Sequence, residues 1–96
     1  MEVDDVLESL LVDMRIPQDE IWSRRRGNIY RKLLVHGLRK YTQKSLREIG
    51  LIMKMDYAAV SAMSRRFAEE VEMEKASGKL WKRLVACLAK RQLRKD

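Results

Sequence analysis

The chain has 96 residues, 46% of them hydrophobic, with one proline, four glycines and one cysteine. This length suits one small domain that can build its own core. The composition excludes a disordered linker, and a single cysteine excludes an intrachain disulfide and favours the cytosol. No apolar run is long enough to cross a bilayer, and the acidic first residues argue against a secretory or transit signal. Helix formers dominate, so we predict an all-α fold.

The net charge of +7 is unevenly distributed along the chain. Residues 1–22 carry seven acids and one base, residues 23–66 carry twelve bases and two acids, and residues 67–96 carry eight bases and five acids. The positive charge is therefore concentrated in the middle of the chain. Such a concentration indicates a polyanionic partner.

The acidic N-terminal segment predicts a first helix over residues 3–14. Its apolar residues recur at intervals of three and four, at Val3, Val6, Leu7, Leu10, Leu11 and Met14. Pro17 prevents this helix from continuing, because it forces Ile16 into an extended conformation. We expect Ile16, Ile21 and Trp22 to fill the core after the turn.

A basic loop over residues 23–28 follows, with Arg24, Arg25 and Arg26 in succession. Three adjacent arginines cannot share one face of a regular element. We therefore expect them to follow a phosphate backbone or to enter a minor groove. The alternative is a solvated loop without a role.

A second helix is predicted over residues 29–41, with Asn28 as its N-cap. Its expected solvent side holds four bases, Arg31, Lys32, Arg39 and Lys40. The only histidine, His36, has no companion at metal-ligand spacing, so we expect a surface or phosphate-contacting histidine and no metal site.

Residues 45–66 have the pattern of a helix-turn-helix. Ser45 and Glu48 have the spacing of a capping box at the start of a third helix. Gly50 is a small residue where two helices must approach closely, and Asp56 is the N-cap of a fourth helix, from Tyr57 to about Lys75. The side of the fourth helix that suits a DNA groove holds Tyr57, Ala58, Ser61, Ala62 and Arg65. We expect Lys44, Ser45 and Arg47 near a phosphate, and the alternative is an ordinary two-helix corner.

A break at residues 76–78 separates the fourth helix from a last helix, predicted from Lys79 to about Arg94. Its apolar stripe consists of Leu80, Trp81, Leu84, Val85, Leu88 and Leu93. Cys87 is expected to be a small buried hydrophobe. A basic amphipathic helix of this kind can also bind an anionic membrane or a partner protein. We favour packing on the other four helices, because this gives Trp81 a core.

The segments YTQKSLREIG (residues 41–50), YAAVS (residues 57–61) and SRRF (residues 64–67) resemble the C-terminal DNA-binding domain of the bacterial initiator DnaA. They resemble still more the DnaA-type domain of some REP-associated tyrosine transposase-like proteins, in which RRGN (residues 25–28) also has a match. The resemblance runs from Val3 to about Val71. It implies a compact, Trp-repressor-like fold of five helices that binds duplex DNA sequence-specifically in the bacterial nucleoid.

Carried over residue by residue, the resemblance implies a minor-groove loop of Arg24, Arg25 and Arg26. It implies base-reading residues at Asp56, Tyr57, Ala58 and Ala59, and a basic residue at Arg65 or Arg66 that ends the motif. The glycines, the histidine and the paired threonines of the initiator are replaced here, so we expect a different DNA target. Two alanines and a tyrosine favour contacts with thymine methyl groups.

No nucleotide-binding loop, metalloprotease motif or nucleophile elbow is present, so we expect neither an enzyme nor a cofactor. The predicted partner is double-stranded DNA, bound by a monomer or weak dimer without a membrane. A protein-interaction adaptor or a transcription regulator of the same helical fold is the alternative.

Overall fold

A computed structural model describes residues 1–94, which form six α-helices and no β-strand. The helices are α1 (Val3–Glu8, continued by a π-helical turn Ser9–Asp13), α2 (Gln18–Trp22), α3 (Ile29–Tyr41), α4 (Leu46–Met53), α5 (Tyr57–Met73) and α6 (Lys75–Arg94). The all-α prediction is confirmed, whereas the predicted number of five helices is wrong. Within residues 1–94, no helix combines the length and apolarity needed to span a bilayer.

The predicted first helix differs from the structure in its second half. After Glu8 the chain widens into a π-helical turn, in which the Met14 N–H donates to the Ser9 carbonyl oxygen at 2.9 Å. The predicted stripe still faces the core, because Val6, Leu10 and Met14 are buried. The hydrophobic pattern holds no signal for the wider turn.

The additional helix is α2, which begins directly after Pro17. Pro17 is the N-cap of this helix, with extended backbone angles of φ −60° and ψ 140°, and its carbonyl oxygen accepts from the Glu20 N–H at 3.1 Å. Ile21 is fully buried and Trp22 is half-buried against the core, as expected. Five residues are too few to show a helical periodicity, so the sequence pattern does not predict this helix.

The central element is α3, which packs against α1, α2, α4, α5 and α6. Because five helices surround α3, some of the side chains that we expected to face solvent are buried. Arg31 is only 7% exposed, and the prediction of a surface or phosphate-contacting His36 is wrong, because that residue is 5% exposed. The His36 Nδ1 lies 2.7 Å from the Ser64 Oγ, and its ring lies 4.6 Å from that of Trp81, between centroids.

The last helix begins at Lys75, four residues before its predicted start. The predicted break at residues 76–78 is wrong, because the chain turns at Glu74 and Gly78 lies inside α6. A Cβ atom at Gly78 would lie 2.9 Å from the Val71 carbonyl oxygen, so glycine permits the close crossing of α5 and α6. Leu93 was predicted in the apolar stripe, but it is 75% exposed.

The far end of α6 is tied to the N-terminal segment by ion pairs. The Arg91 Nε lies 2.8 Å from an Asp13 carboxylate oxygen, and its Nη1 lies 2.9 Å from a Glu8 carboxylate oxygen. Two acids on one guanidinium fix the position of α6 against the π-helical turn. Cys87, predicted as a small buried hydrophobe, is half-buried and packs against the core.

Candidate nucleic-acid interface

Both helix starts in the α4–turn–α5 unit (residues 45–73) are capped as predicted. The Ser45 Oγ accepts from the Glu48 N–H at 3.1 Å, and the Ser45 N–H donates to the Glu48 carboxylate at 2.9 Å. The Asp56 Oδ1 accepts from the Ala59 N–H at 2.7 Å. These bonds satisfy amide groups that have no partner inside the helix, so the sequence sets where both helices begin.

The turn between α4 and α5 consists of Lys54, Met55 and Asp56. The Met55 N–H donates to the Gly50 carbonyl oxygen at 2.8 Å, and Lys54 has left-handed backbone angles, φ 58° and ψ 49°. A Cβ atom at Gly50 would lie 2.3 Å from the Met55 carbonyl oxygen. The predicted close approach at Gly50 is therefore present, but the neighbour is the backbone of the turn and not a second helix.

Replacing Lys54 with glycine is expected to stabilise the protein. A side chain in the left-handed region costs roughly 1 kcal/mol, which glycine avoids, although its more flexible unfolded chain offsets part of the gain. We expect a rise of about 0.5–1 kcal/mol in the free energy of unfolding, measured by urea denaturation. The matched control, Lys54→Ala, removes the charge but keeps the Cβ atom, and should leave stability nearly unchanged. Equal effects of both variants would rule out backbone strain as the cause.

Two arginines from earlier in the chain cap the C-terminal end of α4. The Arg31 Nη2 donates to the Met53 carbonyl oxygen at 2.7 Å, and the Arg24 Nη2 donates to the Lys54 carbonyl oxygen at 3.2 Å. Carbonyl groups at a helix end are unpaired and carry partial negative charge, so guanidinium groups suit this position. Burial, and then repulsion by Arg24, lower the pKa of Arg31. The Arg24 bond joins the basic loop to the turn, and the Arg31 bond joins α3 to the end of α4.

The basic loop is held in one conformation by Asn28, which is 4% exposed. The Asn28 Nδ2 donates to the carbonyl oxygens of Glu20 and Ser23, both at 2.7 Å, and its Oδ1 accepts from the Tyr30 N–H. Gly27 adopts φ 75°, which a residue with a side chain rarely does. The predicted N-cap is confirmed, and the same side chain fixes the loop so that its three arginines are exposed.

The loop and α5 share a cleft. The structure brings together the arginine triplet, Met55 of the turn and Met63 of α5 on the walls of one open cleft. Arg31 and Lys32 line it as well, and the Lys32 Nζ lies 2.7 Å from a Glu70 carboxylate oxygen. The sequence pattern predicted Arg31 and Lys32 only as solvent-facing bases of α3, so their place in this cleft was missed. Their position in the first turn after the loop was the available signal.

The first half of α5 presents the predicted groove-facing residues to solvent. Tyr57 is 54% exposed, Ala58, Arg65 and Arg66 are exposed, and Ala59, Ser61 and Ala62 are half-buried. The Arg47 guanidinium carbon lies 5.4 Å from the centre of the Tyr57 ring, which links α4 to the first turn of α5. Leu51, a residue without a predicted role, lies in the same patch and is 81% exposed.

The start of α4 forms the remaining part of the surface. Lys44, Ser45 and Arg47 are exposed there, and the Lys44 Nζ lies 3.7 Å from a Glu48 carboxylate oxygen. At that distance, and with both side chains exposed, the pair holds Lys44 only weakly. Within the described part of the chain, no cluster of three or more histidine, cysteine or carboxylate side chains has a geometry suited to a metal ion.

Comparison with known proteins adds no family to this description. The chain matches no family model, and no curated protein is similar enough to it to count as a relative.

Proposed function

We propose that this chain binds double-stranded DNA sequence-specifically, with α4 and α5 acting as a helix-turn-helix of the DnaA type. The first half of α5 enters the major groove, and the arginine loop lies on the adjacent backbone or in the minor groove. The observation that carries this proposal is the bond from Arg24 to the Lys54 carbonyl oxygen. It holds the loop beside the first turn of α5, although the two residues are 30 positions apart in the sequence.

The charge along α5 supports the orientation of this helix. Arg65 and Arg66 are exposed at its middle, whereas Glu69, Glu72 and the C-cap Glu74 are exposed beyond them. A helix that enters a groove with its N-terminal half must keep its acids away from the phosphates.

The biological setting that we propose is a replication-initiator-like or transposase-associated protein of the bacterial nucleoid.

Titration of labelled duplex DNA with the protein at several salt concentrations tests this function. Five to eight phosphate contacts give a slope of roughly −4 to −7 in a plot of log affinity against log salt. A mixed pool of duplexes, from which bound molecules are selected and sequenced, then identifies the target. The proposal fails if duplex DNA does not bind at low salt.

Replacing Arg25 with alanine is expected to weaken the binding of all duplex sequences alike. The exposed guanidinium contacts backbone phosphate, so its loss should reduce the salt slope by about one without changing sequence preference. The matched control is Arg25→Lys, which keeps the charge and should preserve the slope. If the alanine variant bound every duplex as tightly as the wild type, the assignment of the loop would be wrong.

Replacing Arg65 with alanine is expected to change sequence preference. A guanidinium that reads a base edge contributes roughly 1–3 kcal/mol to discrimination, so the selected target should lose affinity while random duplexes lose little. Competition between target and random duplex measures the difference. The control Arg83→Ala removes an exposed arginine from α6 and should leave the preference intact. Parallel losses on both duplexes would make Arg65 a phosphate contact.

One observation favours the protein-interaction adaptor as a second candidate. Leu51, Met55 and Tyr57 form a partly apolar patch at the start of α5. Exposed apolar patches mark sites of protein contact as well as sites of contact with thymine methyl groups. If the adaptor function is the real one, saturating duplex DNA leaves the amide resonances of Leu51 and Tyr57 unchanged.

A further inference from the structure

The last helix carries only positive charge. Its 20 residues include seven bases and no acid. Arg91 forms ion pairs with Glu8 and Asp13, and the other six bases are exposed. Among residues 1–94, no carboxylate lies within ion-pair distance of those six side chains, which are Lys75, Lys79, Lys82, Arg83, Lys90 and Arg94.

These six bases, named here the α6 stripe, lie along one side of the helix. At about 100° per residue they fall within an arc of roughly 120°, and a helix of this length extends about 30 Å. The opposite side of α6 holds Leu84 and Leu88, which are fully buried. The backbone that carries the stripe is therefore fixed, because the apolar side of the same helix is anchored in the core.

The stripe is separate from the surface assigned above to DNA. The cleft beside the arginine loop and the patch beside Tyr57 contain no residue of α6. The second half of α5, which packs against α6, is acidic, and Glu69 and Glu72 are exposed there. These carboxylates repel phosphates, so they oppose the extension of a bound duplex along the second half of α5.

We propose that the α6 stripe binds a second segment of double-stranded DNA, so that one protein molecule bridges two duplexes. A duplex carries one negative charge per about 1.7 Å of its axis, so a cationic row of about 30 Å meets many phosphates. An anionic membrane fits less well. Binding of a helix at a membrane surface requires a free apolar side, and here that side is buried, with Leu93 the one large apolar side chain of α6 that is exposed within the described chain.

The bridging rests on the proposed function, since the first duplex occupies the helix-turn-helix, whereas the charge of the stripe does not depend on that function. The test uses a duplex immobilised on beads and a second, fluorescent duplex of unrelated sequence. We expect the intact protein to capture the fluorescent duplex. A variant in which four stripe bases are replaced should capture at least tenfold less, with the substitutions Lys79→Gln, Lys82→Gln, Arg83→Gln and Lys90→Gln.

The matched control replaces Ala86 and Ala89 with glutamine, because both are exposed on α6 and carry no charge. It should capture as the wild type does. The four-base variant should also keep its affinity for the selected target duplex within about twofold, which shows that it folds and that the stripe is not part of the first site.

Several results would overturn the inference. Capture that survives removal of the four bases would place the second contact elsewhere. Binding of one duplex without capture of another would leave the proposed function intact and refute bridging alone, whereas failure to bind any duplex would refute both. Stripe-dependent binding to vesicles containing phosphatidylserine, without capture of a second duplex, would make a membrane the partner.

Discussion

Replacing Gly50 with alanine should lower the free energy of unfolding by about 3 kcal/mol. The new Cβ atom would lie 2.3 Å from the Met55 carbonyl oxygen, a separation that real Cβ atoms do not show. The oxygen belongs to the backbone of the turn, so the clash cannot be relieved by rotating a side chain. The Met55 N–H also donates to the Gly50 carbonyl oxygen, which ties the two backbones together. Overpacking of this kind costs roughly 1–3 kcal/mol, with rigid sites at the upper end.

Urea denaturation of Gly50→Ala measures this cost, and Gly27→Ala is the matched control. Gly27 has a positive φ but no atom near its missing Cβ, so the control should lose only about 1 kcal/mol. The turn sets the angle between α4 and α5, so duplex affinity should also fall in the Gly50 variant. If the control lost as much stability as Gly50→Ala, the tight turn would not be the cause.

Acidification from pH 6.5 to pH 4 should destabilise the protein through His36. Burial lowers the pKa of His36 to about 4, with smaller contributions from Lys40 and then Arg39, whereas its ordinary value is 6.5. Between these two pH values the unfolded chain binds a proton at His36 that the folded chain does not. Stability therefore falls as the pH decreases through this window, by about 3 kcal/mol in total, because one pKa unit corresponds to roughly 1.4 kcal/mol.

Chemical denaturation at a series of pH values measures this effect, with His36→Gln as the control. Glutamine can form a hydrogen bond with Ser64 but does not titrate. The variant should therefore lose the part of the pH dependence of stability that comes from His36 and keep the part that comes from the carboxylates. The difference between the two pH profiles isolates one residue, because the chain has a single histidine. Identical profiles would mean that His36 is solvated in the folded protein.

Local features of the fold could be predicted because local groups determine them. The caps at Asn28, Ser45 and Asp56 each depend on a side chain and an amide two or three residues away, and all three are present. The bounds of α3 could be predicted as well, because its apolar pattern begins directly after the N-cap Asn28 and continues to Tyr41. Gly50 was recognised as a small residue at a close approach, although the expected neighbour was a second helix and not the turn.

Features that depend on distant neighbours could not be predicted from the sequence. His36 and Arg31 lie on a helix that other helices surround, and no periodicity reveals how many neighbours a helix has. Gly78 was interpreted as a helix break, but it serves a close crossing with Val71, which only the tertiary packing creates. The short α2 and the π-helical turn carry too few residues to produce a pattern.

Some features of the candidate site could also be predicted from the sequence, and others could not. The basic residues of the loop and the exposed side of α5 were recognisable from composition and spacing. Their proximity was not, because the bonds from Arg24 and Arg31 to the turn join residues 30 and 22 positions apart. The exposure of Leu51 could not be predicted either, because it depends on which side of α4 faces the core, and a leucine is more often buried than exposed.

The most direct measurement of the central proposal is a map of amide chemical-shift changes on adding an equimolar duplex to the labelled protein. We predict that the largest changes fall at residues 24–26, 44–47 and 56–66, the three segments proposed to contact the duplex. No change at saturating duplex, or changes that are largest outside these three segments, would contradict the proposal that this surface reads DNA.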